Sequence, residues 1–288
     1  MAKIGPDLQV HITRAFAPLR DQAAAIALPP PGSLSQALKA AIPASSAGLP
    51  NAYMPRVVAK MFTTAAVDVW MRAVHSFLIS ASLTDVSPIW ASVSGYYSSH
   101  YSVRSIAHLL GFFQLFSEKR IVQLQFQGGQ YLCSFNRKTK LDREHRFYWK
   151  IVKLNPLFAA DPFFTQNDSS INDSPSDLGH RDRANYADHL SQFSVFRPLD
   201  AAALKARINR ISEIEFKSPP IPRISKFPDV ESVQVIAYHR LVRFRDLVDT
   251  IIGNSNRFWN VHRNPAWARD FMDFQLTEEA TLHSQFTL

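Results

Sequence analysis

Two long stretches of helical periodicity, joined by a short connection, constrain the fold more than any other feature of the chain. From Arg56 to about Ala81, apolar residues recur at steps of three and four, which places them on one face of an α-helix. The same period returns from Ile89 to Leu110, directly after Pro88, a residue suited to a helix start. Because the connection is short, the two predicted helices should lie side by side and antiparallel.

The period then changes to two, between about residues 120 and 136. Apolar and polar residues alternate on both sides of Gly128-Gly129. A Gly-Gly pair can adopt the positive φ values that tight hairpin turns require. This segment therefore predicts a β-hairpin.

The rest of the chain predicts further helices with polar or Pro-rich connections. The Ala- and Pro-rich start predicts an arm with two short helical runs, and the polar run 161–178 predicts a mobile loop. Further helices are expected at about 179–195 and 200–215, and from Val233 to near Gly253.

The predicted fold is mainly α. It consists of an N-terminal arm (residues 1–50), a helical bundle with the inserted β-hairpin (51–215), and a Pro-rich connector with helices that pack on the bundle (216–288).

Composition and motifs exclude several functional classes. No run of about 18 uncharged apolar residues exists, and the start has no secretion-signal pattern, so we expect no membrane span and a cytoplasmic location. The single cysteine, Cys133, excludes an intramolecular disulfide, and no CxxC or CxxH spacing provides a structural zinc site. The chain contains no Gly-rich phosphate loop, HExxH or GxSxG motif. We expect neither a metal nor another cofactor.

The charge balance favours acidic partners. The formal net charge is +8, and the densest basic segment spans residues 137–153. Phosphate contacts from this segment, with stacking by its aromatic residues, are typical of nucleic-acid binding. An ordinary amphipathic helix with buried aromatics and solvated charges is the alternative. The predicted nucleic-acid-binding residues are Arg137, Lys138, Lys140, Arg143, Arg146 and Lys150.

The two long helices also carry a family resemblance. The run DVWMRAVHSFLISASL followed by IWASVSGYYSSHYSVRSIAHLLG resembles the first two helices of HEPN domains. In that family a helix of the type W-x-x-A…F-L-x-x-A precedes one that reads roughly Y-Y-A-x-x-H-A-A-R-A-L. Tyr96-Tyr97-Ser98-Ser99-His100 begins the corresponding stretch here, and the match covers about a third of the chain.

The resemblance implies a bundle of four or five helices that is often dimeric. A subset of the family are metal-independent ribonucleases, in toxin and defence systems, whose signature is an Arg followed four to six residues later by His. The pair Arg183 and His189 fits this spacing, and the pair Arg257 and His262 is the second choice. The first pair lies in the run RDRANYADHL, which also resembles an R-x-x-A-D-Y run of family members that have no nuclease activity.

Metal-independent cleavage of RNA needs a proton-transfer group and a fixed cation. His189 would transfer the proton of the ribose 2′-OH, and Arg183 would stabilise the charge on phosphorus. At about 100° per residue, positions six apart lie about 120° apart around a helix, so the two do not share a face. The two side chains can therefore meet at one phosphate only if the long Arg side chain extends around the helix, if the helix start is irregular, or if the second side chain comes from another copy in a homodimer.

The sequence is also compatible with two alternatives. The residue after each Arg is apolar, whereas the family often has a polar residue there, so a non-catalytic HEPN-like scaffold that binds a partner protein or nucleic acid is the second hypothesis. A chance likeness between amphipathic helices is the third. Within the second long helix, we expect His100 to be a buried structural residue, and Arg104 and His108 to form a polar strip.

Overall fold

The computed structural model describes residues 14–25, 33–42, 51–138, 144–159, 161–165, 167–168, 171–175, 201–213, 230–253 and 258. This part of the chain is mainly helical and includes a small antiparallel sheet. The helices are α1 (Ala17–Ala25), α2 (Leu34–Ala41), α3 (Arg56–Leu83), α4 (Pro88–Leu109), α5 (Glu144–Lys153), α6 (Pro162–Thr165), α7 (Ala201–Glu213) and α8 (Val230–Ile252). The strands are β1 (Asn51–Met54), β2 (Phe112–Leu115), β3 (Arg120–Gln127), β4 (Gln130–Arg137), β5 (Asn167–Asp168) and β6 (Ile171–Pro175).

The predicted pair of long helices is confirmed, and it forms the centre of the fold. Helices α3 and α4 pack along each other, and α8 packs against both. The indole nitrogen of Trp70 on α3 donates to the carbonyl of Leu241 on α8 at 3.1 Å, and its ring stacks on Phe244. These contacts fix α8 against the pair at a fully buried position.

A close approach at Gly95 explains how α4 can lie so near its neighbours. A Cβ atom at Gly95 would lie 2.9 Å from Cγ1 of Val233 on α8 and 3.0 Å from Oγ of Ser80 on α3. The Ser80 hydroxyl in turn donates to the carbonyl of Ala91 at 2.6 Å. A side chain at this position would have to displace Val233 or Ser80, so glycine suits this three-helix contact.

The predicted β-hairpin is confirmed, but it belongs to a larger sheet. Strands β3 and β4 pair around Gly128 and Gly129, which both have positive φ, and Gln127 faces Gln130 across the turn. Strand β1 pairs with β4, and β2 pairs with β3, which gives the antiparallel order β1-β4-β3-β2. The inserted hairpin of the prediction is therefore corrected to a four-stranded sheet, of which one strand precedes α3.

Two apolar cores meet along α3. Its first turns bury Val58, Ala59 and Phe62 against the sheet, and its remaining length lies in the core formed with α4, α5, α7 and α8. The described parts of the arm contribute to both cores, because Leu19 lies in the helical core and Leu38 in the sheet core. The division into three segments at residues 50 and 215 stays a prediction.

The polar run 161–178 is not wholly a loop, and this prediction is wrong for its described part. Pro162–Thr165 form the short helix α6, and β5 pairs with β6. Two aromatic residues anchor α6, since the ring centre of Phe163 lies 4.3 Å from that of His239 and the ring centre of Phe164 lies 4.9 Å from that of Phe158. The helix predicted at 179–195 lies outside the described residues.

Candidate functional site

A row of polar and aromatic side chains runs along one face of α4. Tyr96, His100, Arg104 and His108 follow each other at four-residue steps, the spacing that makes helical residues neighbours. We call these four residues the α4 row. Helix α5 packs against α4 and brings His145 and Tyr148 to it.

The first half of the row is buried and held without charge. His100 is 5% exposed, and its ring lies 4.4 Å from that of His145, which forms a 2.6 Å hydrogen bond with the Tyr96 hydroxyl. Burial lowers the pKa of His100 well below its usual range, and the nearby charges of His145, Arg104 and Arg240 lower it further. The expectation that His100 is buried is confirmed.

The second half of the row fixes the orientation of Arg104. Nδ1 of His108 lies 2.8 Å from the carbonyl oxygen of Phe112, which can only accept, so Nδ1 carries the proton. Nε2 of His108 therefore accepts the hydrogen bond from Nε of Arg104, at 3.3 Å. The Arg104 guanidinium also lies 5.5 Å from the centre of the Tyr148 ring. The expected polar strip is thus a hydrogen-bonded pair.

His108 stays neutral at physiological pH. Its side chain is completely buried, and this burial, together with the positive charge of Arg104, lowers its pKa to about 3 against the opposing effect of the hydrogen bond to Phe112. A neutral imidazole next to Arg104 orients the guanidinium without repelling it. His108 is therefore a positioning group for a cation.

Arg104 and His108 form part of the wall of a cavity of about 290 Å³ between α2, α3, α4 and β2, here called the α3–α4 cavity. Asp68 and Arg72, one turn apart on α3, lie at its solvent-accessible side. Limited hydration raises the pKa of Asp68, and the positive charge of Arg72 opposes this in part. The cavity thus combines two guanidinium groups with one carboxyl group. Its other polar lining residues are Ser33, Ser35, Thr64 and His108.

A second group of cations lies at the end of the sheet, around the β2–β3 turn. Arg120 and Arg137 are direct cross-strand partners, and the backbone N–H of Lys138 donates to the carbonyl of Lys119 at 2.7 Å. The Lys138 ammonium lies 4.5 Å from the centre of the Phe116 ring, which is 48% exposed. We call these four cations and Phe116 the sheet-end patch.

The sheet-end patch is positively charged at a cost to the fold. Like charges placed directly opposite each other in an antiparallel pair are destabilising. Glu118 lies within the same turn, and its carboxylate is 3.9 Å from the ammonium of Lys39 on α2. Four cations and one carboxylate leave a local excess of positive charge beside an exposed aromatic ring, an arrangement typical of surfaces that bind phosphates and bases.

The predicted nucleic-acid-binding residues are distributed over two elements. Arg137 and Lys138 belong to the sheet-end patch, whereas Arg146 and Lys150 lie on α5, half-buried and exposed respectively. Tyr148 and Trp149 are buried in the helical core, so these two aromatics serve packing rather than stacking on a base. Lys140 and Arg143 lie outside the described residues.

Both predicted catalytic pairs also lie outside the described residues. These are Arg183 with His189, and Arg257 with His262. Their assignment stays a prediction that rests on the HEPN resemblance and on spacing.

Sequence reasoning missed Phe116, Lys119 and Arg120 as members of a site. A signal existed, because counting outward in register from Gly128-Gly129 places Arg120 opposite Arg137. Asp68 and Arg72 had no comparable signal. They become a site only where α2 packs on α3, and no periodicity of the chain specifies that contact.

Within the described ranges, no group of three or more His, Cys, Asp or Glu residues is arranged to hold a metal ion. No helix in the same ranges is long and apolar enough to cross a membrane. Comparison with family models, with curated proteins and with solved structures found no match to this chain.

Proposed function

We propose that this protein is a HEPN-like RNA-targeting protein that holds single-stranded RNA at the sheet-end patch. The observation that carries the proposal is the cross-strand pairing of Arg120 with Arg137, flanked by Lys119 and Lys138 and by the exposed ring of Phe116. Mutual repulsion of these cations is relieved when they bind an anion. A polyanion with stackable bases satisfies both the charges and the ring.

The helical part of the fold supports the family side of the proposal. The two segments that resemble HEPN helices form the antiparallel pair α3 and α4, and α8 packs against both. The proposal includes a homodimer, because the HEPN resemblance implies one and because positions 183 and 189 would not share a face if that segment is the helix the sequence predicts.

The catalytic form of the proposal assigns metal-independent RNA cleavage to His189 as the proton-transfer group and Arg183 as the charge-stabilising group. The second form is a non-catalytic scaffold that binds RNA or a protein partner. His100 and His108 of the α4 row are buried and neutral, so neither is placed to exchange protons with a bound RNA, and the catalytic form depends on the predicted pairs alone.

The binding experiment compares two charge-matched double variants. Binding of labelled single-stranded RNA is measured by fluorescence anisotropy across a salt series for the wild type, for Arg120→Gln/Arg137→Gln, and for Lys205→Gln/Arg210→Gln. The control pair lies on α7, where both side chains are exposed. We expect the patch variant to bind more weakly and to reduce the slope of log K against log salt by about 1.4, since each phosphate contact on a single strand contributes about 0.7. Equal weakening in the control would show a non-specific charge effect and refute the patch.

The cleavage experiment separates the two forms of the proposal. Labelled RNA is incubated in EDTA with the wild type and with His189→Ala, and the product ends are analysed. Cyclic-phosphate products that disappear in the variant would establish the ribonuclease. RNA left intact by both proteins would contradict the catalytic form and leave the scaffold form, and equal cleavage by both would exclude His189 and direct the test to His262→Ala.

A further inference from the structure

The α3–α4 cavity is a candidate ligand site that is separate from the sheet-end patch. Its volume of about 290 Å³ is close to the lower limit of the sites that hold small organic ligands. The cavity is open to solvent at Asp68 and Arg72, both exposed, and it is closed at His108, which is completely buried. A small molecule can therefore enter from the α3 side and reach Arg104.

The charge inside the cavity selects the class of ligand. Arg72 and Arg104 each contribute a guanidinium cation to the lining. His108 is neutral, and Asp68 contributes at most one negative charge. The lining therefore carries a net positive charge, which favours an anion over a neutral or cationic ligand.

Hydrogen bonds fix the orientation of the Arg104 guanidinium in the wall of the cavity. Nε of Arg104 donates to Nε2 of His108, and Nδ1 of the same imidazole donates to the carbonyl of Phe112. The guanidinium carbon of Arg104 lies 5.5 Å from the centre of the Tyr148 ring. A guanidinium held in one orientation binds a planar pair of oxygen atoms with two parallel hydrogen bonds, as carboxylates and phosphates require. The cavity is also lined by a second guanidinium, that of Arg72, and by the hydroxyl groups of Ser33 and Ser35, and this set of donors matches a phosphate better than a single carboxylate.

Asp68 adds a second selectivity. A carboxylate next to an anion site repels the anion, so Asp68 disfavours a bare anion and favours a ligand that also carries hydrogen-bond donors. Hydroxyl groups attached close to the phosphate would donate to Asp68 and provide that contact. We propose that the α3–α4 cavity binds a small phosphomonoester that carries hydroxyl groups, such as a sugar phosphate, with Arg72 and Arg104 on the phosphate and Asp68 on the hydroxyl groups.

The experiment measures binding of ribose 5-phosphate, inorganic phosphate and ribose to the full chain by isothermal titration calorimetry. We expect ribose 5-phosphate to bind more tightly than inorganic phosphate, and ribose to give no heat. The Arg72→Gln variant alters an exposed side chain and should weaken ribose 5-phosphate binding about tenfold or more, in the range of a lost charged hydrogen bond. Arg104→Lys keeps the charge, but an ammonium group lacks the two parallel N–H donors of a guanidinium, so this variant should weaken binding as well.

The Asp68→Asn variant should change the affinity in a direction that a purely structural role of Asp68 would not produce. Removal of the carboxylate should strengthen binding of inorganic phosphate and reduce the preference for ribose 5-phosphate over phosphate. Absence of ribose 5-phosphate binding in the wild type, or equal binding by the wild type and Arg72→Gln, would overturn the proposal. The patch variant Arg120→Gln/Arg137→Gln should bind ribose 5-phosphate like the wild type, so failure of the cavity and failure of the RNA surface are distinguishable.

Discussion

Arg120 on β3 and Arg137 on β4 lie directly opposite each other at the end of the hairpin. Arg120 also donates from Nη1 to the carbonyl of Phe135 at 3.2 Å, whereas Arg137 is exposed. The repulsive pair therefore contains one side chain that supports the strand and one that can be changed without removing that support.

The Arg137→Glu variant should gain stability and lose RNA binding. Replacing a like-charge pair by an opposite-charge pair on facing strands should raise the free energy of unfolding by about 0.2 to 1 kcal/mol. Urea unfolding and RNA anisotropy on the same preparation measure both effects. Arg137→Gln is the control, with a smaller gain and a smaller loss. A variant that is less stable than the wild type would contradict the view that the pair costs the fold stability.

Gly111, between α4 and β2, should tolerate alanine much less well than Gly128 in the hairpin turn. Both residues have positive φ, 85° and 58° respectively. The unfavourable backbone conformation should therefore lower the free energy of unfolding of each alanine variant by a similar amount, about 1 to 2 kcal/mol. A Cβ at Gly111 would also lie 2.4 Å from the carbonyl oxygen of Leu124, whereas a Cβ at Gly128 would meet nothing within 4 Å.

We therefore expect Gly111→Ala to destabilise the protein by about 1 to 3 kcal/mol more than Gly128→Ala, the usual cost of overpacking. Chemical unfolding of the two variants measures the difference. The substitution also affects a hydrogen bond, because the N–H of Leu124 donates to the carbonyl of Gly111 at 2.8 Å. Equal destabilisation of both variants would mean that α4 and β3 are not held together at this point.

The parts of the fold that the sequence predicts are the long periodic ones. Helices α3 and α4 and the hairpin β3–β4 extend over enough residues for their period to be unambiguous. Strands β1 and β2 have four residues each, too few for a period, and they exist because they cover the edges of the hairpin. The density of basic residues predicted Arg137 and Lys138 as nucleic-acid-binding residues. The α3–α4 cavity depends on how α2 packs on α3, so it could not be predicted from the local sequence.

Cys133 should be inert to thiol reagents in the native protein. It lies on β4 with its side chain completely buried in the sheet core, and burial raises its pKa to about 12. Only the thiolate reacts, so both access and ionisation oppose the reaction. We expect a negligible rate with a disulfide reagent such as DTNB in native buffer and one rapid equivalent in denaturant. A full equivalent under native conditions would show that the sheet opens readily or that β4 faces the other way.

Protonation of His108 should couple the stability of the protein to pH. The pKa of His108 is about 3 in the folded protein and about 6.5 in an unfolded chain, so below pH 6.5 the unfolded state binds the additional proton. Stability therefore falls as the pH falls, by up to about 1.4 kcal/mol per pH unit for this group, or about 2 kcal/mol between pH 7 and pH 5. His100, whose pKa is also lowered, adds an effect of the same sign.

The His108→Asn variant keeps a donor near the Phe112 carbonyl and removes the titration, so it should flatten the pH dependence even though it is less stable at pH 7. The free energy of unfolding in urea is measured at pH 7, 6 and 5 for the wild type, for His108→Asn, and for His75→Asn. His75 is half-buried and its pKa is lowered by burial alone, so its removal should flatten the profile less. If the wild type and His108→Asn lose the same free energy on acidification, His108 is not buried in neutral form, and its role in holding Arg104 fails with it.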